Sequence, residues 1–239
     1  MLKMQQFINK IFSDIAPQYD LMNDIMSCGL HRIWKKKFVQ NIKNPSLKII
    51  DVACGSGDII VEIANKAHKQ GLLCDIYGVD ANQEMLKIAN NKIIDNNILN
   101  GVNLTLASAE NLPFAHNTFD YYTISFGIRN VGDIIATLNE SYRILKPGGK
   151  FLCLEFSKIT NSYIDVIYNY YLTTCIPFLG TIVANNQEAY QYLSDSIIAF
   201  PDPITLRNMI TESGFCEVGF ETIHGGICAM HFGMKPYHP

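Results

Sequence analysis

The chain has 239 residues, 48% of them hydrophobic, with a formal net charge of -3 and a pI near 6.0. This length fits one α/β domain with a full-sized core rather than two independent domains, and the slightly acidic balance excludes a general nucleic-acid binder, whose surface would be basic. The seven cysteines are widely spaced, without a C-x-x-C pair or a Cys/His cluster at metal-ligand spacing, which predicts free thiols in a reducing cytosol and no metal site.

The N-terminal segment is predicted to be a helix that lies on the domain. Phe7, Ile8, Ile11 and Phe12 recur at helical spacing, and the segment lacks the apolar core and cleavage site of a signal peptide. The longest apolar run, residues 175–184, contains a proline and is too short to cross a bilayer. We therefore expect a soluble, cytoplasmic protein that is able to touch the inner face of the membrane.

Strand-like and helical segments alternate through the first two thirds of the chain. The predicted strands cover residues 47–53, 74–80, 103–108, 120–126 and 150–157, and the helices between them cover 58–70, 82–97 and 132–145. Strict alternation predicts a parallel sheet with right-handed crossovers.

The pattern changes after Ser157. Residues 158–200 are rich in Tyr, Ile and Leu and predict a helical insertion that roofs a site. A helix over 202–214 and strands over 216–223 and 227–235 follow, and His224-Gly225-Gly226 between the strands permits a tight turn. The last strand should therefore run antiparallel at or near the sheet edge.

This reading predicts a single domain with four parts. They are an N-terminal helical lid (1–45), a ligand-binding core (46–157), the helical insertion (158–200) and a C-terminal helix with a hairpin (201–239).

A glycine turn follows the first strand, in the run "KIIDVACGSGD". Gly55 and Gly57 let a ligand lie against the backbone, but the third glycine of a dinucleotide fingerprint is replaced by Ile60. Asp51 and Asp58 flank the turn, where they would repel a pyrophosphate and attract a sulfonium or amino group. A nicotinamide-dependent dehydrogenase is therefore the weaker alternative.

Polar residues stand at the ends of the next three strands. Asp80 is placed to accept hydrogen bonds from ribose hydroxyls, or else to cap the following helix. Ser108 and Ala109 can meet an adenine ring, and Ser125 and Arg129 lie over the same edge. Together with the glycine turn, this combination predicts binding of S-adenosyl-methionine.

Four blocks of the sequence resemble the ubiquinone/menaquinone biosynthesis C-methyltransferase family. They are "YDLMNDIMSCGLHRIWK" (19–35), "TFDYYTISFGIRNV" (118–131), "YRILKPGGKFLCLEFS" (142–157) and "YQYLSDSIIAFP" (190–201). The resemblance covers nearly the whole chain. It implies a class I methyltransferase fold, a Rossmann-like, mainly parallel seven-stranded sheet with an antiparallel last strand. It also implies C-methylation of a polyprenyl benzoquinol or a demethylmenaquinol.

The resemblance also implies a set of site residues. The cofactor contacts carried over are Ser56, Asp80, Ser108, Ala109 and Ser125, with close backbone at Gly55 and Gly57.

Catalytic candidates come from the second and first blocks. Arg129 is predicted to orient a water or to stabilise a phenolate, the alternative being a solvent-exposed or salt-bridged arginine, and Asn130 is predicted to orient the quinol. His31 is either the base or a packed structural histidine. Tyr19 and Asn23 are predicted to touch the cofactor or the quinol.

The implied partner is the polyprenyl quinol. Its tail could lie along residues 163–172, which are equally well ordinary helix core, and the basic run Lys35–Lys37 could touch anionic lipid. A homo-oligomer and a quinone-biosynthesis complex are further predicted partners. Two alternative functions remain open: methylation of another small molecule, and a catalytically silent S-adenosyl-methionine-binding subunit.

Overall fold

The computed structural model describes residues 2–16, 19–27, 29–98, 100–159, 168, 170–176, 178 and 187–237. Its centre is a seven-stranded sheet, with β1 (Lys48–Val52), β2 (Asp75–Asp80), β3 (Val102–Leu106), β4 (Phe119–Ser125), β5 (Leu145–Phe156), β6 (Cys216–Ile223) and β7 (Cys228–Met234) in the order β3-β2-β1-β4-β5-β7-β6. The strands pair in parallel from β3 to β5, and β7 is antiparallel to both β5 and β6. The prediction of a mainly parallel sheet with an antiparallel last strand is confirmed.

The strand order creates a crevice beside the first strand. The chain builds outward from β1 to β3 and then returns to place β4 on the other side of β1. Helices that leave β1 and β4 therefore diverge, and the carboxyl ends of these two strands border an opening.

Eight α-helices are described, and three of them begin at a side-chain cap. They are α1 (Leu2–Ile15), α2 (Tyr19–Ser27), α3 (Leu30–Val39), α4 (Asp58–Lys69), α5 (Gln83–Asp95), α6 (Ile134–Ile144), α7 (Gln187–Ala199) and α8 (Pro203–Glu212). The side chains of Asn82, Asp133 and Asp202 accept backbone N–H groups at the starts of α5, α6 and α8. No helix in the described part of the chain is both long and apolar enough to span a membrane.

The core lies on both faces of the sheet. On one face, Trp34 and Phe38 of α3 pack with Ile60 and Ile63 of α4 and with Ile49 of β1. On the other face, residues of α6 and α8 pack against alternate residues of the same strands, among them Leu138, Leu206, Ile50 and Tyr122. Successive side chains along each strand point alternately into the two cores. Both sets are therefore apolar, which explains the near-continuous apolar runs in the sequence.

The predicted elements differ from the structure mainly at β5. This strand begins at Leu145, five residues before the predicted start at Lys150, because Gly148 and Gly149 exchange backbone hydrogen bonds with Lys235 beyond the end of β7. The turn between β6 and β7 is a short 3-10 turn over His224–Gly226, as the glycines predicted.

Part of the predicted insertion lies outside the described residues. Of the aromatic stretch 163–172, the structure describes Tyr168 and the residues from Tyr170 onward, which lead into a π-helical turn over Tyr171–Cys175. The four-part division of the chain stays a prediction.

Candidate active site

The residues that follow β1 and β4 adopt an uncommon backbone conformation. Ala53 has φ 51° and Phe126 has φ 54°, both in the left-handed region that side chains disfavour. Strain of this kind persists where the surrounding structure imposes it, and it is concentrated at functional sites. Here it turns the chain sharply at the two strand ends that border the crevice.

A cavity opens at these strand ends. We call it the outer cavity; its wall includes Ala53, Gly55, Asp80, Ser108, Ala109 and Asn130. Four of the predicted cofactor-binding residues (Gly55, Asp80, Ser108 and Ala109) thus share one cavity with the predicted catalytic Asn130.

Asp80 holds the turn after β1 in place. Its two carboxylate oxygens accept the backbone N–H groups of Gly55 and Asn82, each at 2.8 Å. Burial raises the pKa of Asp80, and these backbone N–H groups oppose the rise. Each oxygen keeps a second lone pair, so the carboxylate can accept further hydrogen bonds from hydroxyl groups in the cavity. The cap of α5 is Asn82 rather than Asp80.

Ser108 and Ala109 form the far wall of the outer cavity. The Ser108 hydroxyl donates to the Glu110 carboxylate, which also accepts the backbone N–H of Gly132 at 2.6 Å. Glu110 therefore ties the end of β3 to the loop after β4, and Ala109 lies buried behind it. The small side chain leaves room for a flat ring.

A second pocket lies on the other side of the Ala53–Gly55 turn. We call it the inner pocket; its wall includes Asn23, His31, Lys35, Asp51, Ser56 and Ser125. Ala53, Gly55 and Phe126 line both pockets, so the two are neighbours across the strained strand ends. The inner pocket gathers the predicted residues His31, Asn23, Ser56 and Ser125.

Asp51 is a buried acid at the base of the inner pocket. Thr123 of β4 donates a hydrogen bond of 2.7 Å to one carboxylate oxygen, while the other oxygen is buried without a protein partner. Burial raises the pKa of Asp51 to about 7, against the lowering effect of the Thr123 hydrogen bond. The group is therefore poised to change charge near neutral pH.

An ion network holds α2 and α3 against the start of α4. Lys92 of α5 contacts Asp20 and Asp58, each at 2.6 Å, and Lys35 contacts Asp58 at 2.6 Å. Burial raises the pKa of Asp58, but the two lysines outweigh it and lower the pKa overall. Ser56 joins this network because its hydroxyl donates to Asp20 at 2.9 Å.

Two predicted site residues do not line either pocket. Gly57 begins α4 with φ 82°, and a Cβ atom there would lie 3.1 Å from Cβ of Ala89, so this glycine lets α4 and α5 approach each other. Arg129 is 5% exposed in its side chain and forms a 2.6 Å ion pair with Glu155, which is 1% exposed. Its guanidinium also donates to the Phe126 carbonyl at 2.8 Å, so it supports the strained strand end from behind.

The remaining predictions concern Asn130 and Tyr19. The Asn130 carbonyl oxygen accepts a 3.1 Å hydrogen bond from the Tyr192 hydroxyl of α7, which brings the insertion to the edge of the outer cavity. Tyr19 is the first residue of α2, and its side chain lies outside the described part of the chain.

Several functional residues were missed at the sequence level. Glu155 and Lys92 reach their partners across more than twenty residues of chain, and no local pattern marks such pairs. Asp24 accepts a hydrogen bond from His31, its seventh neighbour, and only the turn between α2 and α3 brings the two together. The signal for Asp24 was nonetheless present, because it lies in the first resemblance block.

The two pockets fit S-adenosyl-methionine. The outer cavity offers hydroxyl-accepting oxygens on Asp80 and a small-residue wall at Ala109, which suit a nucleoside. The inner pocket offers buried, unpartnered polar atoms on Asp51 and Ser125, which suit a charged amino-acid group.

Comparison with known proteins supports the same cofactor. The model of the ubiE/COQ5 methyltransferase family matches residues 1–235. A ubiquinone/menaquinone biosynthesis C-methyltransferase from Rickettsia akari is 51% identical over 233 residues, covering 98% of this chain and 94% of its own. The protein of the same name from Rickettsia felis is 50% identical, with the same coverage.

Solved structures of the same fold are more distant in sequence. A methyltransferase from Thermotoga maritima, described as S-adenosyl-methionine-dependent, has a TM-score of 0.62 at 21% identity and covers 95% of this chain and 99% of its own. A putative methyltransferase from Methanococcus maripaludis has a TM-score of 0.62 at 18% identity, with 92% of each chain covered. These likenesses confirm the predicted class I methyltransferase fold. With a family match along nearly its whole length and relatives of about 50% identity, the chain belongs to the ubiE/COQ5 methyltransferase family and is an S-adenosyl-methionine-dependent methyltransferase.

Proposed function

We propose that the protein methylates a ring carbon of a polyprenyl benzoquinol, a demethylmenaquinol or both, as a step in quinone biosynthesis. The observation that carries the proposal is that the chain is about half identical, over nearly its whole length, to C-methyltransferases of ubiquinone/menaquinone biosynthesis. The matched region covers 98% of the chain and therefore includes helices over the site, where a substrate would be selected.

The outer cavity has an apolar side next to its polar one. Ile8 and Phe12 of α1, with Phe126 and Val131, line the cavity together with Asn130. An aromatic quinol ring buries favourably against such side chains. A ring held there lies at the same strand ends as the donor, and positioning of this kind supplies much of the rate in a bimolecular transfer.

The donor is held by residues from both pockets. Asp80 accepts hydrogen bonds from the ribose hydroxyls, and Ser108 and Ala109 contact the adenine. Gly55, Ser56 and Ser125 face the amino-acid end of the donor. When bound, S-adenosyl-methionine supplies an electrophilic methyl group on a positively charged sulfur.

The substrate carbon must become electron-rich, which happens as a ring hydroxyl loses its proton. Asn130 orients this hydroxyl: its carbonyl oxygen is engaged by Tyr192, so its N–H groups remain as donors to the ring oxygen. Arg129 acts from behind, because its ion pair with Glu155 and its bond to the Phe126 carbonyl fix the wall against which the ring lies.

The same proposal includes peripheral contact with the membrane that dissolves the polyprenyl tail. The outer face of α3 exposes Arg32, Ile33 and Lys36, with Ile33 59% exposed. Of the predicted basic run, Lys35 is instead buried against Asp58, and Lys37 pairs with Glu221. Exposed apolar and cationic side chains on one helix suit an anionic bilayer surface. Assembly with a second copy or with other quinone-biosynthesis proteins stays a prediction.

The central experiment is incubation with methyl-labelled S-adenosyl-methionine and each demethylated quinol, followed by location of the label. We expect label on a ring carbon of at least one quinol. Label on oxygen or nitrogen of another small molecule would favour the first alternative, and donor binding without turnover on either quinol would favour a silent subunit.

A matched pair of variants on β2 tests the donor site. Asp80→Ala should weaken S-adenosyl-homocysteine binding by about 1–3 kcal/mol through lost hydrogen bonds. Asp75→Ala, at the opposite end of the same strand, should leave the affinity unchanged. Calorimetry measures both, and equal affinities would remove Asp80 from the ribose site.

A further inference from the structure

The inner pocket contains three buried polar atoms that no protein group satisfies. They are Nδ1 of His31, Oδ2 of Asp51 and Oγ of Ser125, each without a hydrogen-bond partner, and all three residues line this pocket. His31 is 3% exposed and Asp51 is 1% exposed. Because a buried polar group without a partner costs free energy, a cluster of three in one pocket indicates a ligand group that satisfies them.

The tautomer of His31 follows from its neighbour. Nε2 of His31 lies 2.9 Å from Oδ1 of Asp24, and a carboxylate only accepts, so Nε2 carries the proton. Asp24 is itself fixed by Arg32, whose Nε and Nη2 donate to its two oxygens at 2.7 Å each. Nδ1 is consequently the unprotonated nitrogen of a neutral ring, and it faces the pocket as an acceptor.

The charge state of His31 agrees with this assignment. Burial and the neighbouring Lys35 lower the pKa of His31, while Asp24 and Asp58 act in the opposite direction. The ring therefore stays neutral at physiological pH. Lys35 does not compete for the unpartnered acceptors, because its ammonium contacts Asp58 at 2.6 Å.

We propose that His31, in the tautomer imposed by Asp24, binds the α-ammonium group of the methyl donor together with Asp51 and Ser125. An ammonium group has three N–H donors and no acceptor, and the pocket presents three free acceptors, one on each residue. A ring hydroxyl of the quinol offers a single O–H donor and would leave two of them unsatisfied. His31 is thus a cofactor-recognition residue rather than the base that the sequence also allowed, and Asp24 is the positioning residue behind it.

The inference rests on the methyl donor assigned above and not on the identity of the quinol. Its test is calorimetric binding of three ligands: S-adenosyl-homocysteine, its analogue with hydrogen in place of the α-amino group, and 5′-methylthioadenosine, which lacks the amino-acid chain. For the unaltered protein we expect the deamino analogue to bind roughly 10- to 100-fold more weakly than S-adenosyl-homocysteine, the range for hydrogen bonds to a charged group.

His31→Leu should reduce that difference, because only Asp51 and Ser125 remain as acceptors for the α-ammonium group. We expect it to weaken S-adenosyl-homocysteine about ten-fold or more while leaving 5′-methylthioadenosine binding unchanged. His31→Asn, which keeps an acceptor oxygen near the position of Nδ1, should retain most of the affinity. The matched control is His231→Leu: His231 is also buried, with Nε2 on the Pro203 carbonyl and Nδ1 unpartnered, but it lies outside both pockets.

A second readout does not depend on a variant that folds. In nitrogen-15-labelled protein, the Nδ1 signal of His31 should show an unprotonated nitrogen and should move on addition of S-adenosyl-homocysteine but not of the deamino analogue. Equal affinity of the two ligands, or an Nδ1 signal that responds equally to both, overturns the proposal and leaves the methyltransferase assignment intact. Absence of any binding of S-adenosyl-homocysteine would instead overturn the proposed function.

Discussion

Ionisation of a buried carboxylic acid lowers the stability of the folded state, and Asp51 is such an acid. Its pKa is raised to about 7 in the folded chain, against about 4 in an unfolded one. Between these values the folded state holds a proton that the unfolded state has lost. Asp51 therefore favours folding at low pH, and this contribution is lost as the pH rises through 7.

The variant Asp51→Asn should remove this pH dependence. A shift of one pKa unit corresponds to about 1.4 kcal/mol. The free energy of unfolding of the variant should therefore rise relative to that of the original protein by roughly 1–4 kcal/mol between pH 4 and pH 8. Chemical unfolding at several pH values measures the gain, with the exposed Asp195→Asn as control. Parallel stability curves for the Asp51 variant and the original protein would contradict the assignment.

Arg129 and Glu155 form the second buried charge system. Burial raises the pKa of Glu155, and the guanidinium opposes that rise. Arg129→Met leaves the buried Glu155 carboxylate without its ion-pair partner. The free energy of unfolding should therefore fall by about 3–5 kcal/mol, the range for a broken buried pair. Loss of activity in this variant alone would not separate folding from catalysis.

The double variant Arg129→Met/Glu155→Gln makes that separation. It leaves no charge unpaired, so we expect most of the stability to return, while turnover stays roughly 100-fold low because the Phe126 wall is misplaced. Steady-state kinetics should locate the loss in kcat rather than in the KM for the donor. Full recovery of turnover would restrict Arg129 to a structural role.

Part of this chemistry could be predicted from the sequence at the residue scale. The carboxyl ends of parallel strands meet at one edge, so the sequence predicts that Gly55, Asp80, Ser108 and Ser125 lie there, and they line the two neighbouring pockets. The partner of Arg129 was not, because Glu155 belongs to the next strand and its side-chain direction depends on strand register.

At the scale of elements, helix contacts depend on a few backbone positions. α4 and α5 meet where Gly57 faces Ala89, and the positive φ at Gly57 starts α4 directly after the turn that lines both pockets. Gly55 and Ser56, which line pockets, are thus followed directly by Gly57, which makes the contact between α4 and α5.

Gly57→Ala should destabilise the protein through two effects, backbone strain and crowding. Gly71→Ala provides the matched control, because Gly71 also has a positive φ, 67°, but nothing lies within 4 Å of an added Cβ atom. Strain alone should cost Gly71→Ala about 1–2 kcal/mol, and Gly57→Ala should cost more, with partial recovery in Gly57→Ala/Ala89→Gly. Equal thermal stabilities of the two single variants would show that the α4–α5 contact tolerates the methyl group.

Element boundaries followed the sequence where local signals mark them. Asn82, Asp133 and Asp202 are strong N-caps, and the helices they precede begin within two residues of prediction. β5 was misjudged because its first residues, Leu145–Gly149, resemble a turn and become extended only through pairing with the chain beyond β7. That pairing joins segments more than eighty residues apart, which no local pattern encodes.

For the whole molecule, donor binding and folding should be coupled. The pockets are built from β1, β2, β4, α1, α2 and α3, so a ligand that fills them binds the folded chain alone. At one hundred times its Kd such a ligand adds about 2.7 kcal/mol of stability. In a chain of this size each kcal/mol corresponds to roughly 2–4 °C.

We therefore expect S-adenosyl-homocysteine at that concentration to raise the Tm by about 5–10 °C. Differential scanning fluorimetry measures the shift, and adenosine at the same concentration is the control for weak nucleoside binding. An unchanged Tm with S-adenosyl-homocysteine would argue that the two pockets do not form the donor site.

Sheet topology was predictable in outline for the whole molecule. The alternation of strands and helices predicts parallel pairing, and Gly225 and Gly226 predict the tight turn that makes β7 antiparallel to β6. β7 lies between β5 and β6, one strand in from the edge, in agreement with the prediction that it runs antiparallel at or near the edge.

The contacts of Asn82 connect the proposed donor site with the first helix. This one side chain caps α5 through its oxygen, while its amide nitrogen donates to the Asn9 carbonyl and the Ser13 hydroxyl of α1, each at 2.9 Å. Its own backbone N–H is held by the carboxylate assigned to the ribose. Asn82 thus connects the carboxylate assigned to the ribose with α1, which lines the outer cavity. We therefore expect turnover to follow a compulsory order, donor first and acceptor second, with S-adenosyl-homocysteine leaving last.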